Sequence, residues 1–177
     1  MNFYLKSFLF FYCLIFLQAQ VPLTLDQALG QVIYILNPNL PGDNMVFTIQ
    51  NADLSAGGYL VISPYTGADN QKFIITLVEG YYWIQAFQSS LYLTVQGTTF
   101  VVQEPQSTDV FQYINQQFNV LPRLPPFFCF RSRSNGNFLQ FDASFDYTSG
   151  NWITLSPYIV QALPTFGDPQ NWNFYLA

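Results

Sequence analysis

Two carboxylates four residues apart, Asp142 and Asp146, are followed by Asn151, Trp152 and Tyr158, the densest group of chemically useful side chains in the sequence. Paired carboxylates can serve as acid and base in glycoside hydrolysis, but nothing nearby completes an enzyme. The chain contains no histidine, which removes the commonest general base, the Ser/His/Asp and Cys/His nucleophile systems and the usual zinc ligand. The loop spacing that would make Asp142 and Asp146 a calcium site of the EF-hand kind is missing too. Residues 142–150 read equally well as a turn in which aspartate bonds its own backbone. No catalytic residue, cofactor or metal is expected, and the protein is expected not to be an enzyme. What carboxylates, amides and a ring do together is hold a polyhydroxylated ligand. The polar groups bond hydroxyls while the ring packs on a face of C–H groups. Alternation points Ile153 and Leu155 inward and Trp152 outward, which suits a sugar platform, a protein interface or packing under a loop. A second amide group is Asn70-Gln71, with Tyr65 close enough in sequence to supply a ring.

The elements that must position these residues are strands. Thr24 and Gln27 have the spacing of a capping box, and Gly30 ends that helix after little more than a turn. Beyond it, residues 32–36, 46–50, 59–63 and 73–77 are the first of many short runs of Val, Ile, Phe, Tyr and Thr bounded by Gly, Pro, Asn and Asp, the pattern of strands and turns. The runs also repeat. Residues 47–51 match 82–86 and 128–132; the polar turns 52–58, 87–90 and 133–137 follow; then 59–62, 92–95 and 138–141 match in their turn. A third strand is expected at 99–103 and 152–156, with none in the first repeat. The units close on Gln71-Lys72-Phe73, Asp109-Val110-Phe111 and Gln170-Asn171-Trp172. Three units, each too small to bury its own apolar face, predict an all-β protein. Its fold is a single closed pseudo-threefold barrel whose first repeat is shortened. Phe73, Phe111 and Trp172 are expected to pack between units, and Phe47, Tyr82 and Phe128 to stand around one axis.

Composition narrows the compartment and the partners. Lys6 precedes an unbroken apolar run over residues 8–17, the length of a secretory leader and too short to span a bilayer. Residues 1–19 are therefore expected to be a signal peptide, 20–44 a segment leading into the fold, and 45–177 the domain. The protein is expected to be secreted or held in the secretory lumen, with no stable membrane span. Beyond the leader, only Lys72, Arg123, Arg131 and Arg133 oppose ten acidic residues. No basic stripe can be assembled from them, so nucleic acid is not an expected partner. One of the two cysteines lies in the leader, which rules out an internal disulfide. Cys129, between Phe128 and Phe130, reads as a small packed hydrophobe.

An aromatic-x-Ile strand, a Ser- or Gly-containing turn, a Tyr/Phe-Leu-x-Val strand and a closing Gln-x-Trp together resemble the ricin-type β-trefoil, the R-type lectin domain. The resemblance covers residues 45–177 and implies a secreted, non-catalytic carbohydrate-binding module. In that family an Asp between the Leu and Val of the second strand clamps the sugar. The matching positions here are Val61, Thr94 and Gln140, so the implied sugar site is degenerate. The family's Asn-Gln pair before the closing aromatic is found at Asn70-Gln71. Its third-strand polar residue and aromatic correspond to Val101 and Gln103 in the second repeat and to Thr154 and Ser156 in the third. Asp142, Asp146, Asn151, Trp152, Tyr158, Asn70 and Gln71 are thus the expected ligand-binding residues. The partners expected are glycans or a secreted or extracellular protein. The alternative is a structural or protein-interaction trefoil that binds no sugar.

Overall fold

The computed structural model of the protein describes residues 21–39, 44–97, 100–123, 126–141, 151–156 and 170–177, and for 100, 110, 111, 141 and 151–156 it describes the backbone alone. The expected leader and the candidates Asp142, Asp146 and Tyr158 lie outside the described residues. The first helix, α1 (Leu25–Ala28), opens on the expected capping box: Gln27 N donates to the Thr24 hydroxyl, and Thr24 N donates to the Gln27 carboxamide oxygen at 2.9 Å. Gly30, at φ 71°, turns the chain into the barrel, and its N–H donates to Ile75 O at 2.9 Å.

Twelve strands follow among the described residues, four to a unit. The first unit holds β1 (Val32–Asn37), β2 (Met45–Ile49), β3 (Leu60–Pro64) and β4 (Phe73–Val78). The second holds β5 (Tyr81–Ala86), β6 (Tyr92–Gln96), β7 (Phe100–Glu104) and β8 (Phe118–Pro122), with the short helix α2 (Val110–Tyr113) between its last two strands. The third holds β9 (Phe128–Ser132), β10 (Phe138–Phe141), β11 (Asn151–Ser156) and β12 (Asn173–Leu176). The outer strands of each unit close a ring. Antiparallel pairing runs β1 to β4, β4 to β5, β5 to β8 and β8 to β9; a bridge from Phe128 to Trp172 continues it, and β12 pairs back onto β1. A closed ring leaves no sheet edge to template association. The inner strands form three hairpins, β2–β3, β6–β7 and β10–β11, joined to one another where Trp152 pairs with Val61 and Tyr59 with Val102. This is the expected all-β, single β-trefoil.

The register shows how the units superpose. Ile33 pairs with Phe73, Tyr82 with Phe118 and Phe128 with Trp172, and three residues further along the same strands Leu36 pairs with Val46, Gln85 with Tyr92 and Arg131 with Phe138. Equivalent positions are therefore Phe47, Leu93 and Leu139, then Thr48, Thr94 and Gln140. Four expectations are corrected by this register. The first repeat is not shortened: its first strand is β1, inside the 20–44 segment, and β3 is its third strand. The axial set is Ile33, Tyr82 and Phe128, with Phe47 belonging to the second strand. The clamp position of the first unit is Thr48, where Val61 was expected. The second unit closes on Gln116-Gln117-Phe118 and not on Asp109-Val110-Phe111, because Phe118 carries the pairing to Tyr82 that Phe73 makes to Ile33 in the first unit.

Alternation along each strand sends one face to a common core. Ile33, Ile35, Phe47, Phe73, Ile75, Ile84, Leu93, Phe118, Phe130, Leu139, Trp172 and Phe174 are all fully buried there. The three closing aromatics Phe73, Phe118 and Trp172 belong to it, as does Phe47, whose ring meets Trp172 edge-on at 4.5 Å and Phe73 at 6.0 Å. Cys129 is buried in β9, as its apolar neighbours lead one to expect.

Candidate functional site

Each unit carries a buried glutamine two residues before its closing aromatic, and the register aims it at the second strand. Gln71 donates from Nε2 to Pro64 O at 2.8 Å, Ser63 Oγ at 3.1 Å and Thr48 Oγ1 at 3.3 Å, while its Oε1 accepts from Thr66 N at 2.8 Å and Thr66 Oγ1 at 3.0 Å. Gln116 repeats the arrangement, donating to Pro105 O at 2.8 Å and Thr94 Oγ1 at 3.0 Å and accepting from Ser107 N at 2.9 Å. Gln170 donates to Gln140 Oε1 at 3.3 Å. The residue at the clamp position thus receives a hydrogen bond from the closing glutamine in all three units. Gln71 was expected to bind ligand, but both ends of its amide are engaged inside the protein, so it braces the loop after β3.

The other expected residues are distributed unevenly. Asn70 is half-buried in the turn before β4 and donates to Ile49 O at 2.8 Å. Tyr65 is exposed, with one edge of its ring against Tyr34 at a centroid separation of 4.6 Å. Asn151 and Trp152 lie on β11 opposite Ile62 and Val61. Residues paired directly across antiparallel strands share a face, so position 152 lies on the face of Val61 and Gln140, while 151 and 155 share the face of Ile62 and Leu139.

The second unit holds a groove that the sequence reading passed over. Its volume is about 720 Å³, and it is bounded by the end of β6 from Thr94, the end of β7 at Glu104, the loop 105–109, and the turn that follows α2. Asn115 and Gln112 reach it from that turn and helix, and Glu104 and Asp109 bring two carboxylates to it. No lysine or arginine lines it, so its field opposes anions and suits hydroxyl donors. The Thr94 hydroxyl is occupied, accepting from Gln116 and donating to Tyr92 O at 3.0 Å. Among the described residues no hydrogen bond ties up the Asn115 amide, in contrast to Asn70. The Asp109 backbone carbonyl accepts from Gln112 N at 3.1 Å and Tyr113 N at 2.8 Å, which fixes the wall of the groove. Gln103, matched above to a third-strand site residue, is not in it. That side chain is buried and donates to Asp53 O at 2.6 Å and Ser55 O at 2.9 Å. The signal for the groove was present in the sequence: Asn115-Gln116-Gln117-Phe118 has the spacing of Asn70-Gln71-Lys72-Phe73. Assigning the unit's closing aromatic to Phe111 concealed it.

A second groove, of about 680 Å³, lies across the loop from the first. Gln106, Ser107 and Thr108 border both, and Glu79, Tyr113, Ile114 and Arg133 line the far side. Among the described residues no helix is long and apolar enough to cross a membrane, and no group of three or more His, Cys, Asp or Glu side chains is placed to hold a metal.

No family model and no curated protein matches the sequence. Solved structures match the fold. A designed 3-fold symmetric protein, ThreeFoil, is 22% identical with a TM-score of 0.67 over 81% of this chain and 97% of that one. The Rhizoctonia solani agglutinin is 16% identical with a TM-score of 0.63 over 89% and 100%. The C-half of an earthworm R-type lectin, in complex with GalNAc, is 12% identical with a TM-score of 0.59 over 82% and 98%. Other matches include the cytolethal distending toxin of Actinobacillus actinomycetemcomitans and an exo-β-1,3-galactanase of Clostridium thermocellum. At these identities the likeness establishes the β-trefoil, of a type that lectins use, and no single activity.

Proposed function

We propose that this protein is a secreted, non-catalytic carbohydrate-binding module, and that its working site is the groove of the second unit. The observation that carries the reading is the 720 Å³ groove in which Asn115, Glu104 and Asp109 stand around the clamp position Thr94. A threonine already bonded to the closing glutamine cannot grip a sugar as a carboxylate does. Glu104 and Asp109 supply that chemistry from the neighbouring strand end and loop instead, each able to accept from a sugar hydroxyl. Asn115 adds an amide that both donates and accepts, and the apolar parts of Val95 and Pro105 offer C–H contact. Secretion rests on the leader-like pattern of residues 1–19. Asp142, Asp146, Trp152 and Tyr158, with Asn151, form a second proposed sugar contact in the third unit.

A glycan array followed by calorimetry of the best neutral oligosaccharide tests the reading. Asn115→Ala and Glu104→Gln are each expected to weaken binding about ten-fold, the loss of one good hydrogen bond to a charged or amide group. If Asn70→Ala abolishes binding while Asn115→Ala preserves it, the site belongs to the first unit. If well-folded protein binds no glycan, the structural or protein-interaction reading takes over.

A further inference from the structure

The first groove contains only negative charge, whereas the second contains a guanidinium held ready. Arg133 follows β9 and packs its charged head over the Tyr81 ring, with Cζ 4.0 Å from the centroid. Its backbone N–H donates to Gln117 O at 2.9 Å, and its Nη1 donates to the Gln117 side-chain oxygen. Gln117 is itself fully buried. An arginine stacked on a ring and tied at one nitrogen has surrendered most of its rotamer freedom before any ligand arrives. It has no carboxylate partner: among the described residues the ion pair is Lys72 with Asp69. The N–H groups not used on Gln117 therefore remain for an anion, and they border a groove of about 680 Å³. Glu79 lines the same groove without pairing with Arg133. A ligand group placed there must be anionic on the arginine side and must offer hydroxyl donors on the glutamate side.

We infer that the second groove is a subsite for an acidic sugar residue, one bearing a carboxylate or a sulfate ester, within an oligosaccharide whose neutral part lies in the first groove. The inference rests on the carbohydrate-binding reading and extends it from one sugar to a chain. The two grooves share the wall formed by Gln106, Ser107 and Thr108, so adjacent sugars of one chain can occupy both. The division of charge then gives specificity. Glu104 and Asp109 reject an anionic sugar from the first groove, and Arg133 favours one in the second, which sets the direction of the chain.

Calorimetry with matched pairs tests this: a uronic-acid oligosaccharide against its carboxyl-reduced form, and a sulfated galactose oligosaccharide against its desulfated form. The wild type is expected to prefer one acidic partner about ten-fold, and which pair shows the preference distinguishes carboxylate from sulfate. The preference should shrink as NaCl rises from roughly 20 to 300 mM, since Arg133 is exposed. Arg133→Gln should bring the acidic ligand down to the level of its neutral partner. If that variant does not fold, Arg133→Lys keeps the charge but loses the planar fork, and a reduced preference with the same salt dependence supports the assignment. Equal binding of acidic and neutral partners by the wild type, or a preference that survives Arg133→Gln, overturns the subsite while leaving the first groove intact. Binding of an acidic glutamate-rich peptide as tight as that of the acidic saccharide overturns the sugar and makes the groove a protein contact. Failure of every saccharide, neutral and acidic, overturns the carbohydrate reading itself.

Discussion

An amide buried at position 116 must find partners or destabilise the fold, and the partners it finds are the ones that shape the groove. Gln116 holds Thr94, the carbonyl of Pro105 and the N–H of Ser107 together. Gln116→Leu leaves those groups unpaired, and we expect a loss of about 2–4 kcal/mol in denaturant unfolding. Gln116→Glu is expected to be worse at neutral pH, because it aims a charged oxygen at a carbonyl oxygen, and to recover in part on acidification. A Gln116→Glu melt that equals wild type at pH 7 would contradict this account. A second test at this scale concerns Tyr34. Burial, its hydrogen bond with Tyr65 and the nearby charges of Tyr65 and Asp69 push its hydroxyl from 10.0 up to about 12. The folded state thus favours the neutral phenol. The associated stabilisation is complete below pH 10, where the unfolded tyrosine is also neutral, and is lost as pH rises through about 12. Stability of the wild type should fall across that interval by on the order of 2 kcal/mol more than that of Tyr34→Phe. Parallel curves for the two proteins would dismiss Tyr34 as the cause.

Between elements, the junction of the first and second units turns on Gly58. A Cβ there would meet Gln103 Nε2 at 2.9 Å. That nitrogen is held by two carbonyls, and Gln103 Oε1 accepts from Ser89 Oγ at 2.6 Å, so the amide cannot retreat. Gly58→Ala is therefore expected to cost about 1–3 kcal/mol, a Tm lower by roughly 3–10 °C in a calorimetric scan. At Gly57, φ is 87° and nothing stands within 4 Å, so Gly57→Ala meets backbone strain alone and should cost about 1–2 kcal/mol. No loss of Tm in Gly58→Ala would mean that the junction is soft. This scale also separates what was legible in the sequence from what was not. The runs at 32–36, 46–50, 59–63 and 73–77 correspond to β1 through β4, because alternation and turn residues are local signals. The phase of the repeat is not local: a two-residue period looks the same in a first strand and a second. Phe47-Thr48-Ile49 therefore aligned with Tyr82-Trp83-Ile84 when its equivalent in the second unit is Leu93-Thr94-Val95. The shifted phase hid β1 as a leader to the fold, and the choice of Phe111 as the closing aromatic hid Asn115 as a site. Arg133 was equally hidden, since only the fold brings it to Tyr81 and Gln117.

The closure of the whole molecule depends on β1, which decides where the domain begins. β1 pairs with β12 from Ile33 to Leu36, with β4 at Val32 and Ile33, and with β2 at Leu36 and Asn37. Ile33 and Ile35 are both 0% exposed, and burying each is worth roughly 2–3 kcal/mol. Without β1 the six-strand ring becomes an open sheet with unpaired edges at β4 and β12, and the common core meets water along one side. A chain of residues 45–177 should therefore fail to fold, giving low dispersion in an amide NMR spectrum and a non-cooperative melt, whereas residues 21–177 should melt cooperatively. Adding a peptide of residues 21–39 to the 45–177 chain should restore a cooperative transition whose midpoint rises with peptide concentration, as mass action requires for a partner that binds only the folded state. The same peptide with Ile33→Asp should not restore it, because a carboxylate would be placed against Phe73 in the core. A cooperative melt of 45–177 alone would show that the barrel closes without β1, and that the pairing with β12 contributes little to holding the three units together.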